Sequence, residues 1–129
     1  MSAKIPARHI LIKRAYEPPA DADGKRILVD RLWPRGIKKE ALALSQWMKE
    51  LSPSTELRHW YGHEPELWPE FRRRYAAELR PHAQEFESLR ALAREGTITL
   101  VYSARNETQN NAVALREFLL APGAIGAGV

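Results

Sequence analysis

Residues 29–36, with the sequence Val-Asp-Arg-Leu-Trp-Pro-Arg-Gly, place two arginines, an acid and a tryptophan in a loop after an apolar run. Guanidinium groups bind phosphate or carboxylate through paired hydrogen bonds, and ligands of open α/β sheets bind where strands end. Asp30 could serve as a catalytic carboxylate, or it could pair with Arg31 and fix the loop. One acid leaves the second cation unbalanced, so we expect Arg35 to face a ligand. The loop therefore predicts a pocket for an anion.

A second loop, at residues 103–108, also follows an apolar run and precedes the last predicted helix. If the two strands run parallel, both loops lie at one edge of the sheet. Asn106, Thr108 and Asn110 can cap the helix, whose unpaired backbone N–H groups favour an anion, and Arg105 adds positive charge. Helix capping alone also explains these residues. The candidate ligand-binding residues are Arg31, Trp33, Arg35, Arg105, Asn106, Thr108 and Asn110.

Other side chains have both a chemical and a structural interpretation. Trp33 could stack on a base or sugar ring, although a tryptophan before a proline more often fills a core. His63 and Glu78 are candidate acids or bases, and Tyr102 is a candidate hydrogen-bond donor at the end of the third strand. His59 and His63 are four residues apart, but the glycine and proline beside them oppose a continuous helix and no third ligand is evident. We predict no metal site and no cofactor.

The composition narrows the class of protein. The 129 residues fit one domain, and the absence of cysteine excludes disulfides and thiolate metal sites. The net charge is +4, and residues 1–39 carry ten Lys or Arg against four acids. This basic field would concentrate an anion, although it also serves solubility. No apolar run reaches the length of a membrane span, so we expect a cytoplasmic protein without a membrane partner, of undetermined oligomeric state.

The predicted elements are two strands, a series of helices, a third strand and a last helix. Apolar, β-branched runs predict strands at residues 10–12, 27–29 and 98–102, each buried on both faces, with the direction of the first two undetermined. Helical spacing predicts helices near residues 41–51, 54–60, 65–79, 82–95 and 112–119. Together they predict one compact α/β domain at residues 1–120, with helices packed against a small, mostly parallel sheet. We expect residues 121–129 to form a disordered tail.

The chain resembles a known family over about residues 8–120. The resemblance rests on the tract at 29–36, and on Trp47, Leu51–Ser54, Leu57, Trp60, His63–Pro65, Trp68, Phe71, Tyr75, Glu78, Leu79, Leu100–Tyr102 and Asn110. These residues are similar to those of the YeaO-like branch of the family named domain of unknown function 488. The resemblance implies a compact, cytoplasmic, bacterial α/β domain. It implies no reaction, because the family has no settled activity.

Two short tracts depart from the pattern of that family. Its members tend to read Ala-Ala-Lys-Asp where this chain has Ser-Ala-Arg-Asn at 103–106, and Asn-His-Ala where it has Asn-Asn-Ala at 110–112. Asn106 therefore replaces a carboxylate, and Asn111 replaces an imidazole. If those groups acted as general acid and base, this chain lacks both. If they only form hydrogen bonds, asparagine can replace them.

Three functions remain open at this point. The first is a binding or catalytic domain for a small anionic ligand such as a nucleotide. The second is a nucleic-acid-associated module that uses the basic first third and Trp33, and its affinity would fall steeply with salt. The third is a protein interaction domain in which arginine, aspartate and tryptophan form an internal network. Solvent exposure of the Arg35 guanidinium separates the first reading from the third.

Overall fold

Helices pack against a small parallel sheet in the computed structural model, which describes residues 4–62, 64–123 and 125. The strands are β1 (Ile10–Arg14), β2 (Lys25–Leu28), β3 (Gln46–Trp47) and β4 (Ile98–Tyr102), in the order β1-β4-β2-β3. The α-helices are α1 (Lys39–Leu42), α2 (Thr55–Tyr61), α3 (Trp68–Leu79), α4 (Ala83–Glu95) and α5 (Asn111–Leu120). All strand pairs within these described residues are parallel. The predicted α/β class is confirmed, and the first two strands both run parallel to β4.

The central strand β4 pairs with β1 on one side and β2 on the other, with Leu100 opposite both Ile12 and Ile27. All five residues of β4 are buried, as predicted. Prediction fails for β1, where Leu11 is 38% exposed. β1 lies at the edge of the sheet, so the covering elements reach only part of it.

The boundaries of the middle helices follow the capping residues in the sequence. Ser54 caps α2 by accepting a hydrogen bond from Leu57 N at 3.1 Å, and Gly62 ends it with a left-handed φ of 52°. Pro81 lies in the 3₁₀ turn between α3 and α4, and Gly96 follows α4. The helices predicted near residues 54–60 and 82–95 are confirmed, whereas α3 begins at Trp68, after a 3₁₀ turn at Pro65–Leu67. Within the described part of the chain, no helix is long and apolar enough to cross a membrane.

The helix predicted at residues 41–51 is wrong. The segment instead contains the single turn α1, Ala43 with a φ of 51°, strand β3 and a 3₁₀ turn. Ser45 N donates to Arg26 O at 2.8 Å and Met48 N to Leu28 O at 2.9 Å, so β2 supplies the backbone partners. Sheet pairing thus overrides local helix preference. Of the apolar residues that suggested a helical stripe, Leu44 and Trp47 pack on one face of the sheet, and Met48 and Leu51 are buried on the other.

The sheet separates two apolar cores. Neighbouring residues of a strand point to opposite faces, and Ile27 and Leu100 belong to the larger core while Leu28 and Val101 belong to the smaller one. The larger core includes buried side chains from α2, α3, α4 and α5. The smaller core is covered by residues of the segment 33–47. The candidate anion-binding loop at residues 29–36 therefore leads into the segment that covers this face of the sheet.

The C-terminus of α5 is held by one buried arginine. Arg90 is 6% exposed and donates to the carbonyl oxygens of Phe118, Leu119, Ala121 and Gly123, at 3.1, 3.2, 2.8 and 2.6 Å. These bonds satisfy carbonyls that a helix end leaves unpaired. Of the tail predicted at 121–129, positions 124 and 126–129 lie outside the described residues.

Asp23 is a buried acid that joins three strands. Its carboxylate accepts hydrogen bonds from Arg26 Nη1 at 2.7 Å, Lys13 Nζ at 3.2 Å and Ala20 N at 3.0 Å. Thr99 Oγ1 donates to the Asp23 carbonyl at 2.7 Å. Burial by itself raises the pKa of Asp23, but these hydrogen bonds and the Lys13 charge outweigh it and hold the pKa below its ordinary value.

We expect Asp23→Asn to lower the free energy of unfolding by on the order of 2 kcal/mol at neutral pH, because it weakens hydrogen bonds to charged groups. The folded-state pKa is depressed, so the carboxylate stabilises the fold above the unfolded pKa of about 3.9. This contribution is lost as the pH falls through the folded-state pKa. Urea unfolding of both proteins from about pH 7 to about pH 3 should show the difference shrinking. A constant difference would contradict the ion-pair assignment.

Candidate functional site

A cleft of about 920 Å³ lies beyond the carboxyl ends of β1, β2 and β4. Because all three strands run parallel, the loops that follow them meet at this edge. The cleft is lined by Tyr16, Asp30, Arg31, Leu32, Trp33, Pro34, Arg35, Pro53, Arg58, His59, Tyr61, Gly62, Phe71, Ser103, Ala104, Arg105, Asn106, Gln109, Asn110 and Asn111. Its volume lies in the range of small-molecule sites.

The carboxylate of Asp30 joins the two predicted loops and α5. One oxygen accepts from Ser103 N at 2.8 Å, and the other accepts from Asn111 Nδ2 at 3.0 Å. In the described part of the chain Asp30 forms no ion pair with Arg31. Arg31 instead donates to the carbonyls of Ser52 and Pro53, at 3.4 Å each. The structure does not support the reading in which Asp30 and Arg31 pair to fix the loop.

Trp33 packs against the smaller core at the side of the cleft. Its ring meets that of Trp47 edge-on, with centroids 5.5 Å apart, and its Nε1 donates to Ile37 O at 2.6 Å. Trp47 Nε1 in turn donates to the backbone carbonyl of Asp30 at 2.7 Å. These contacts fix the backbone of the loop at Asp30 and Ile37. Trp33 is half-buried, so it both fills the core and lines the cleft.

Three arginines at the cleft have exposed side chains: Arg35, Arg58 and Arg105. Over the ranges that the structure describes, none of their guanidinium groups forms a hydrogen bond or ion pair. With Arg31, they give the cleft four cations against one acid, Asp30. Positive charges gathered in a concave surface attract anions.

The start of α5 forms one wall of the cleft. Asn110 caps the helix by accepting from Val113 N at 2.9 Å, and its Nδ2 donates to Asn106 O at 2.8 Å. Asn106 Oδ1 accepts from the backbone N–H groups of Thr108 and Gln109, at 2.9 Å each. These predicted ligand residues therefore shape a turn and a helix start. Thr108 is exposed and does not line the cleft.

Two catalytic candidates lie away from the cleft lining. Glu78 accepts from Ser54 N at 2.7 Å and from Ser54 Oγ at 2.5 Å, so it supports the start of α2. Tyr102 is 2% exposed, and burial together with the nearby Glu107 raises the pKa of its hydroxyl. His63 lies outside the described residues. Among the residues that are described, no three His, Asp or Glu side chains form a group that could hold a metal.

Arg58 and Gln109 line the cleft but are not among the site residues that the sequence predicts, and Tyr61, a plausible hydrogen-bond donor near the sheet edge from the sequence, lines it with them. Arg58 lies in the last turn of α2, a helix that looks like an ordinary amphipathic segment in the sequence. Tyr61 is buried, which raises the pKa of its hydroxyl, and that hydroxyl donates to Gln109 O at 3.1 Å. Arg58 and Tyr61 reach the cleft only because α2 packs near the carboxyl edge of the sheet, and no local sequence pattern predicts that packing.

The parallel sheet and the cleft at its carboxyl edge define a small α/β domain with a cationic pocket at the strand ends. The chain belongs to the family described as the inactive DUF488-N3 subclade, whose profile matches residues 9–124. This confirms the resemblance to domain of unknown function 488.

Relatives of the chain match most of its length. It is 51% identical over 111 residues to the uncharacterized protein YeaO of Escherichia coli (strain K12), covering 86% of this chain and 96% of that protein. It is 40% identical over 110 residues to the uncharacterized protein Mb3100c of Mycobacterium bovis and to Rv3073c of Mycobacterium tuberculosis, covering 85% of this chain and 92% of each. No solved structure matches the chain.

Glu78→Ala should destabilise the fold by about 1–2 kcal/mol, because Ser54 loses both of its hydrogen-bond acceptors. Urea unfolding of Glu78→Ala, Ser54→Ala and the double variant measures the coupling between the two side chains. We expect the two effects to be less than additive in the double variant. Strict additivity would show that the hydrogen bonds do not stabilise α2.

Proposed function

We propose that the cleft binds a small anionic ligand through a phosphate or carboxylate group. The observation that carries the proposal is the set of exposed guanidinium groups of Arg35, Arg58 and Arg105, which have no partner in the described ranges. Planar guanidinium groups match the oxygen geometry of phosphate and carboxylate. A ligand anion would neutralise charges that this part of the protein leaves unpaired.

The distribution of charge favours a small ligand over a nucleic acid. Arg72, Arg73 and Arg74 form the most basic run, but each is ion-paired, with Glu117 or Glu70. Arg35, Arg58 and Arg105 line one concave site, whereas a nucleic-acid surface would place its cations along the path of a phosphate backbone.

The internal-network reading is less well supported for Arg35. Its side chain is exposed and makes no contact of the kind expected in a buried network of the described residues. Arg31 is the arginine of the loop that donates to protein carbonyls. Arg31 therefore fits a role in supporting the loop, and Arg35 fits a role in binding a ligand.

Binding without catalysis fits the family and the asparagines best. The family is described as inactive. Asn106 supports the turn before α5, and Asn111 holds Asp30. A side-chain amide does not titrate near neutral pH, so neither residue can replace the acid or base that a carboxylate or imidazole would supply. The same amides can still form the hydrogen bonds of a binding site.

We expect inorganic phosphate to bind the wild-type protein, and Arg35→Ala or Arg58→Ala to weaken binding at least about tenfold each. The reason is the loss of a charge-assisted hydrogen bond, which contributes about 1.5–3 kcal/mol. Isothermal titration calorimetry at fixed ionic strength measures both. Arg73→Ala is the matched control, because Arg73 is exposed but lies outside the cleft.

Equal phosphate affinity in Arg35→Ala, Arg58→Ala and Arg73→Ala would contradict the assignment of the site. An oligonucleotide that binds more tightly than phosphate, with a steep loss of affinity as salt increases, would support the nucleic-acid reading instead. Thermal unfolding of each variant without ligand shows whether the fold is intact.

A further inference from the structure

We infer that the ligand of the cleft is a phosphorylated polyol or sugar, whose hydroxyl groups donate to Asp30 and Asn111 while its phosphate meets the arginines. This inference rests on the proposed anion binding and names the rest of the ligand. The cleft, at about 920 Å³, is far larger than a phosphate ion requires. It therefore leaves room, beside a bound phosphate, for the rest of a larger ligand, and that part would contact the other polar groups of the cleft.

The Asp30 carboxylate can accept more hydrogen bonds than the protein supplies. A carboxylate has about four lone-pair sites, and from the described residues Asp30 receives two hydrogen bonds, from Ser103 N and Asn111 Nδ2. Asp30 is half-buried and lines the cleft. It therefore combines a fixed orientation with remaining capacity to accept a hydrogen bond from a ligand.

Asn111 adds a second acceptor beside Asp30. Its Nδ2 lies 2.9 Å from Val29 O and 3.0 Å from Asp30 Oδ1. Both neighbours are acceptors, so the amide must present its nitrogen to them, and this fixes its orientation. Its carbonyl oxygen then receives no hydrogen bond from the described residues. Asp30 and Asn111 together form an acceptor pair in the same cleft as the arginine donors.

A neutral donor suits this pair better than an ammonium group. Four arginines line the cleft against the single charge of Asp30, so the surrounding potential opposes a second cation. Hydroxyl groups can donate to both acceptors without adding charge. The arrangement thus favours a ligand with a phosphate at one end and hydroxyls along its body.

Three five-carbon ligands test this inference: pentyl phosphate, ribitol 5-phosphate and 5-aminopentyl phosphate. They share the phosphate and the chain length and differ in their hydrogen-bond donors. Calorimetric titration of the wild-type protein should show ribitol 5-phosphate binding at least about tenfold more tightly than pentyl phosphate, as expected for hydrogen bonds to a charged acceptor. Equal affinities, or tightest binding of the amine, would overturn the inference.

Asp30→Asn gives a second readout. It removes the negative charge and one of the two acceptor oxygens, so the affinities of ribitol 5-phosphate and pentyl phosphate are compared within the variant, where a general weakening of phosphate binding affects both ligands. The preference for ribitol 5-phosphate should fall to about threefold or less. An unchanged preference would show that Asp30 does not recognise the hydroxyls. If Asp30→Asn does not fold, the wild-type ligand series still decides the inference.

The experiment separates this inference from the proposed function. If neither inorganic phosphate nor pentyl phosphate binds the wild-type protein, anion binding itself is wrong, and the inference falls with it. If both bind and ribitol 5-phosphate shows no advantage, anion binding stands and only the polyol assignment is overturned.

Discussion

The hydrogen bonds to the Asp30 carboxylate hold the cleft together. Ser103 follows β4, Asn111 begins α5, and Asp30 follows β2, so one carboxylate joins three segments that are distant in sequence. A buried or half-buried carboxylate needs such donors, because burial without them is costly. Because both donors must stay within hydrogen-bonding distance of Asp30, the loops are held in a fixed relative position. The separation between the cationic loop and the start of α5 is therefore set by hydrogen bonding rather than by loop sequence alone.

Most buried or half-buried arginines of this chain serve as donors to backbone carbonyls. Arg90 holds the end of α5, Arg116 donates to Ile10 O at 2.7 Å, and Arg14 donates to Ala104 O at 3.0 Å. An arginine has five donors in a fixed plane and can satisfy several carbonyls at once. The exposed arginines at the cleft, Arg35, Arg58 and Arg105, have no such carbonyl partner among the described residues, so their guanidinium groups are free to meet a ligand.

Local signals in the sequence predicted much of the fold. The helix near residues 54–60 and the buried strand at 98–102 each depend on nearby residues, and each is found. The segment at 41–51 failed because its conformation depends on pairing with β2, a partner that helical spacing cannot reveal. The prediction that β1 is buried on both faces was wrong for the same reason, since a strand's position at the edge depends on the whole sheet.

The candidate site shows the same division. The loop at 29–36 could be found because its arginines, acid and tryptophan are adjacent in sequence. Arg58 could not, since only the packing of α2 brings it to the cleft. For Glu78 the sequence shows a carboxylate that could act as an acid or base, but it does not show the Ser54 hydroxyl that donates to this carboxylate.

Asn111 shows how a site can keep its geometry without titratable chemistry. Its amide donates to Val29 O and Asp30 Oδ1 at any pH near neutrality, whereas an imidazole at this position would change its donors on titration. The amide therefore holds Asp30 through a donor that does not titrate near neutral pH. Asn111 can orient the carboxylate but cannot itself gain or lose a proton, so its contribution to the cleft is positioning rather than acid or base chemistry.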